Sequence, residues 1–212
     1  MSNKAIIDTL KQRLKAPLPG LSAQERMAVR VVPMPAAIPA NARDSAVLCL
    51  IYPVENKLCV LLMQRNTDKS AHSGQISFPG GRYETSDESL QATALRETYE
   101  EVGIPAIDIQ VLGALTPLYI PVSNFMVHPF VAYANNRPAY TLNKNEVVQI
   151  IEIRVEELFH HSRKTLVDVT SPAVPDVLRQ VKAYQLEDGT IIWGATAMIL
   201  SELEVVMEES KY

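Results

Sequence analysis

The sequence predicts an α+β fold or a layered α/β/α sandwich, with helices packed on a sheet. Three observations predict it. Apolar, strand-like runs recur along the chain, bounded by turn residues. Helical patterns interrupt them at uneven spacing, which disfavours a doubly wound sheet. A length of 212 residues with 47% hydrophobic content suffices for one sizeable core, whereas two full domains would be cramped.

Taken in order, the chain opens on an amphipathic helix whose apolar face is Ile6, Ile7, Leu10 and Leu14, packed on the domain. A proline-rich connection follows from 16 to 42, mostly extended, with room for a short helix at 22–29. Residues 46–52 and 58–64 read as two strands of a hairpin with a longer loop at 53–57. The polar, glycine-bearing segment 65–82 reads as a loop, and Phe78-Pro79-Gly80-Gly81 as a turn outside any regular helix or strand. A helix then runs from Asp87 or Glu88 to Val102, capped by Ser86 or Asp87 and stopped by Gly103. Leu95, Tyr99 and Val102 supply its packing side. Further strands are expected at 109–112, 126–134 and 148–153. Residues 182–186 and 190–193 flank a Glu187-Asp188-Gly189 hairpin turn. A last helix covers 195–208, with Ile199, Leu200, Leu203, Val206 and Met207 as its stripe.

Chemistry concentrates in Arg96-Glu97-Thr98-Tyr99-Glu100-Glu101-Val102-Gly103-Ile104. At about 100° per residue, Glu97, Glu100 and Glu101 share one narrow arc of a helix. Like charges at these spacings repel, so a positive partner should sit against them. An acidic helix face alone is usually a solvated surface. An oxygen-only ligand set points instead to a hard cation, Mg²⁺ or Mn²⁺, and Mg²⁺ commonly joins carboxylates to substrate phosphates.

A formal charge of −4 gives no basic footprint for nucleic acid. No run approaches the roughly 18 apolar residues of a membrane span. The N-terminus lacks a secretory pattern, and the cytoplasm is the expected compartment. Cys49 and Cys59 lie in apolar runs and read as buried reduced thiols. His160-His161 has no metal-ligand spacing and reads as a surface or packing pair.

The full run FPGGRYETSDESLQATALRETYEEVGI resembles the Nudix box, G-x5-E-x7-R-E-U-x-E-E-x-G-U with U aliphatic. Arg96, Glu97, Glu100, Glu101, Gly103 and Ile104 match in register, and Glu88 stands at the right distance from Arg96. Thr98 replaces an aliphatic, and six residues rather than five separate Gly81 from Glu88. The resemblance implies a Nudix fold with a mixed sheet, the Nudix helix and an added N-terminal helix, residues 1–42 preceding a Nudix domain at 43–212. Upstream, LLMQRNTDKSAHSGQISFPGG resembles the signature of the coenzyme A diphosphatase branch, L-L-T-x-R-S/A-x3-R-x3-G-x3-F-P-G-G. Leu61, Leu62, Arg65, Gly74 and 78–81 match; Met63 stands for Thr, Asn66 for Ser or Ala, and Ser70 for the second arginine, with Lys69 beside it.

These resemblances imply metal-dependent hydrolysis of a nucleoside diphosphate linked to another moiety, with Mg²⁺ or Mn²⁺ as cofactor. For coenzyme A or acyl-coenzyme A the products would be 3′,5′-ADP and (acyl-)4′-phosphopantetheine. Glu97, Glu100 and Glu101 are assigned to the metal, with Glu88 as an outer ligand or a partner of Arg96, and Asp87 able to substitute for it. Arg96 orients the carboxylates. The general base is open among Glu100, Glu101 and Glu146. Arg65 offers a bidentate phosphate donor, Lys69 a mobile charge, and Gly74, Gly80 and Gly81 close backbone approach. The apolar loop 117–125 is a candidate for meeting a pantetheine or acyl tail. The alternatives are ADP-ribose, NADH or a dinucleoside polyphosphate as substrate, or a non-catalytic binding module. Oligomeric state is open, a homodimer included.

Overall fold

The computed structural model describes residues 2–29, 37–67, 74–171 and 174–208. At its centre β1 (Arg43–Val54) and β2 (Lys57–Arg65) form a hairpin. Its turn is Glu55-Asn56 alone, both residues at positive φ, 48° and 63°, the backbone twist that a two-residue hairpin requires. The expected longer loop is absent because the ladder continues through Pro53, paired with Leu58. Pro53 lies beyond the last β1 residue that pairs on the opposite edge, Ile51, so its missing N–H costs no ladder bond there.

The expected loop 65–82 is also corrected. It holds β3 (Ile76–Ser77), paired with β2, and β4 (Gly80–Arg82), paired antiparallel with Ser45–Val47 of β1. Elements this short carry no periodic signal; pairing with β1 overrides the turn propensity of the two glycines. Along the other side of β1 runs β7 (Phe125–Tyr133), in parallel from Arg43↔Phe125 to Ile51↔Tyr133. β5 (Gln110–Ala114) and β6 (Leu118–Ile120) pair antiparallel with β7, and β8 (Val147–Arg154) pairs antiparallel with β2. The result is a mixed eight-stranded sheet. β6, read as part of an apolar loop, buries Leu118 and Tyr119. A second, antiparallel sheet joins β9 (Lys164–Ser171), β10 (Val174–Gln185) and β11 (Ile191–Trp193).

Period-two alternation in β1 and β2 divides the core into two layers. Cys49, Ile51, Leu58, Val60 and Leu62 face α1 (Asn3–Arg13) and α5 (Gly194–Glu208), meeting Ile7, Leu10, Leu14, Leu200 and Leu203. Leu48, Leu50, Tyr52, Leu61 and Met63 face the opposite way, onto Ala94 and Val102 of α3 (Leu90–Val102). The sheet is therefore covered by helices on both faces. Two short helices, α2 (Leu21–Gln24) and α4 (Val155–Leu158), complete the set; α2 continues into a 3₁₀ turn at Glu25–Met27. Cys49 and Cys59 are buried free thiols.

Fully buried Glu202 of α5 ties this packing together. It accepts hydrogen bonds from the Gly20 N–H (3.1 Å), Gln24 Nε2 (2.9 Å), the Thr116 N–H and Thr116 Oγ1 (2.6 Å). No helix of the described residues is long and apolar enough to cross a membrane.

Candidate active site

α3 starts later than expected. Ser89 is its cap, accepting the Ala92 N–H at 3.1 Å, and Gly103 ends it at φ 76°. The inward row is Ala94, Thr98 and Val102, all buried, whereas Tyr99 is 60% exposed. Tyr99 stands one position, about 100°, round from that row, which is why it misses the sheet. Thr98, where the motif has an aliphatic residue, satisfies its buried hydroxyl on the Ala94 carbonyl at 2.7 Å.

The carboxylate face of α3 presses on β4. A Cβ at Gly81 would lie 2.4 Å from Glu97 Oε1, and one at Gly80 would lie 2.3 Å from the Ala46 carbonyl. Gly80 has no room for a side chain against the β1 backbone and holds φ at 151°, whereas at Gly81 the Glu97 carboxylate would have to move aside. The Gly80 N–H donates to Glu101 Oε2 at 2.8 Å. At the end of β2, Arg65 donates from Nη1 to Glu101 Oε1 at 3.2 Å. Glu101 is nearly inaccessible (1%), and burial, reinforced by the charges of Glu97 and Glu146, pushes its carboxyl up to about 8 against the opposing pull of Gly80 and Arg65. Burial also raises Glu97, with Glu100 and Glu146 adding to it and Arg96 opposing.

Arg96 organises the other two acids. Its Nη1 reaches Glu97 Oε1 (3.0 Å) and Glu100 Oε2 (2.9 Å), while Nε and Nη2 clamp both oxygens of Asp87 at 2.8 and 3.1 Å. That clamp holds Asp87 well below the usual carboxylate range. Asp87 further accepts from Thr93 Oγ1 (2.8 Å) and the Glu84 N–H (3.0 Å). Asp87 thus occupies the position beside Arg96 considered for Glu88, and Glu88 is exposed. The extra residue before the helix shifts the register by one.

Glu146 comes from the turn before β8. Asn143 Nδ2 holds its Oε1 at 3.0 Å, and the Asn143 N–H donates to the Glu101 carbonyl at 3.0 Å. Gly74 sits at φ 68° and donates its N–H to the Asn66 carbonyl at 3.2 Å. Lys69 lies outside the described residues. Sequence reasoning overlooked Asn66 and Asn143; the Asn143-Lys144-Asn145-Glu146 run was the available signal.

The donor set suits a hard cation. Glu101 receives one bond per oxygen, half of what a carboxylate accepts, and Glu97 Oε2 receives none among the described residues. Among the described residues no three acids are already gathered round one ion position.

The NUDIX domain family model matches residues 42–177. The chain is 36% identical over 171 residues to a Yersinia enterocolitica protein described as "Uncharacterized Nudix hydrolase NudL", covering 81% of this chain and 85% of that one. The Photorhabdus laumondii protein of the same description is 35% identical over 180 residues, 84% and 92% of the two chains. In fold the chain resembles RenU, a Nudix hydrolase from M. smegmatis (TM-score 0.51, 17% identity, 79% and 87% coverage). It also resembles a MutT/nudix family protein from Enterococcus faecalis (TM-score 0.52, 16% identity, 98% and 75% coverage). An acidic helix wedged against a glycine strand, in a chain that matches the NUDIX domain model and is 36% identical over 171 residues to a Nudix hydrolase, identifies this protein as a member of the Nudix family and a Nudix hydrolase.

Proposed function

We propose that this hydrolase cleaves the pyrophosphate bond of coenzyme A or acyl-coenzyme A, giving 3′,5′-ADP and (acyl-)4′-phosphopantetheine. The observation that carries the reading is Arg65. It belongs to the upstream signature and stands at the carboxylate cluster, its Nη1 on Glu101 and its side chain 29% exposed. Nε and Nη2 have no partner among the described residues and are free to donate to a phosphate. Lys69 is assigned the second positive charge a 3′-phosphate requires.

Nudix hydrolases generally use divalent metals, and here Glu97, Glu100 and Glu101 would hold Mg²⁺ or Mn²⁺. Bound there, the ion neutralises phosphoryl charge and makes a coordinated water acidic. The chain's own residues do the rest. Arg96 keeps Glu97 and Glu100 on one side of α3 while Asp87 fixes Arg96 in turn. The Gly80 N–H and Arg65 orient Glu101. Glu146, whose charge acts on both Glu97 and Glu101, is assigned as the group that takes the proton from attacking water; Glu100 and Glu101 are the other candidates. Two buried free thiols suit the reducing cytoplasm.

A second reading, another nucleoside diphosphate derivative such as ADP-ribose, NADH or a dinucleoside polyphosphate, is favoured by Ser70 in the second arginine position. Turnover of coenzyme A, dephospho-coenzyme A and ADP-ribose, with and without Mn²⁺, separates the two. Coenzyme A is expected to be the best substrate, with no hydrolysis in chelator. Equal or faster turnover of ADP-ribose overturns the assignment.

A further inference from the structure

The turn that carries Glu146 is pinned from two sides. Towards α3, the Thr141 and Asn143 N–H groups donate to the carbonyls of Val102 (2.9 Å) and Glu101 (3.0 Å). Towards β2 the pin is Asn66. Its Nδ2 donates to the carbonyls of Lys144 (3.3 Å) and Asn145 (3.2 Å), and its N–H to the Glu146 carbonyl at 2.7 Å. Its Oδ1 accepts the Thr67 N–H at 2.8 Å, which locks the amide with its donors aimed at the turn. Within the turn, the Asn143 carbonyl takes the Glu146 and Val147 N–H groups, and Asn143 Nδ2 holds the Glu146 carboxylate. Asn66 directly follows Arg65, which pairs with Val147 across β2 and β8 and reaches Glu101. One dipeptide therefore grips both walls of the site.

We infer that Asn66 is a positioning residue for the hydrolysis: by holding the carbonyls of Lys144, Asn145 and Glu146 it fixes the Glu146 carboxylate opposite the acids of α3. This rests on the proposed catalytic use of Glu146. A serine or alanine, the residue types of the resembled signature at this position, cannot span to both the Lys144 and Asn145 carbonyls. The side-chain grip is thus a property of this chain rather than of the signature, and its loss frees the turn without touching the metal carboxylates.

The test compares Asn66→Ala, Asn66→Ser, Glu146→Gln and the double variant Asn66→Ala/Glu146→Gln, with Mn²⁺ and the best substrate of the panel. Hydrogen exchange of residues 141–147 is followed in parallel. Either Asn66 variant should lower kcat roughly 10- to 100-fold with KM little changed. The double variant should be no slower than Glu146→Gln alone, because two residues acting through one group do not add. Exchange at 141–147 should quicken while that of α3 stays put. Losses that multiply, unchanged exchange, or a Glu146→Gln enzyme as fast as the parent would each overturn the inference. A parent without turnover on any pyrophosphate substrate sinks the hydrolytic reading instead, and the exchange measurement then decides by itself whether Asn66 holds the turn.

Discussion

Glu101 and Glu202 are almost wholly buried on opposite sides of the sheet, and they are treated differently. Glu202 is surrounded by neutral donors from three segments: the Gly20 N–H, the Gln24 amide, and the Thr116 N–H and hydroxyl. Among the described residues Glu101 has one N–H and one guanidinium, and the charges of further acids, Glu97 and Glu146, act on it. A carboxylate saturated with fixed dipoles is a rivet. One left half-satisfied beside like charges has capacity in reserve for a cation or substrate. The difference lies in what surrounds each group, since burial is nearly equal.

The sharpest way to break the comparison is Glu101→Gln. Turnover should fall about 10³-fold, in line with losing a transition-state charge contact worth roughly 4 kcal/mol, with the melting temperature close to the parent's. Near-parental kcat would show Glu101 to be a rivet as well. Glu202→Ala should do the reverse, costing about 3 kcal/mol of stability by stranding buried donors, with kcat of the folded protein intact; chemical denaturation and assay below the transition measure both. Asp87→Asn probes the support behind Arg96 and should cost about 2 kcal/mol at neutral pH. Because Asp87 is held below its unfolded pKa, its contribution is full above roughly pH 4 and is lost as pH falls through the folded value. Denaturation curves of parent and variant should therefore converge in acid. The smallest effect is Gly81→Ala, whose methyl would press on the Glu97 carboxylate. A long side chain can yield, so kcat should drop only about tenfold and stability hardly move.

The acids of α3 were readable because spacing on a helix fixes which residues share a face, whatever lies outside it. Strand β4 was not, because its existence depends on β1, far away in the chain, and two glycines in isolation signal a turn. Tyr99 reads as inward in the sequence because a hydrophobic ring near the apolar row is ambiguous by one position, and the narrow sheet-facing row 94/98/102 resolves it. The exchange of Asp87 for Glu88 followed from one added residue, whose effect on register was visible but whose outcome depended on where the cap fell. Glu202 gave no sign at all, since a carboxylate on an apolar helix reads as exposed until Gly20 and Thr116 arrive to meet it.

The parallel pairing of β1 with β7 carries a kinetic consequence. The β1–β2 hairpin is local and can close within microseconds, but the partner on the opposite edge of β1 lies about 80 residues downstream. Such distant pairing delays completion of a fold. On the ribosome, α3 emerges before β7 does, so the acidic helix must wait on a half-built sheet with one raw edge. That interval, rather than the finished enzyme, is when this chain is most exposed to mispairing and to chaperone capture.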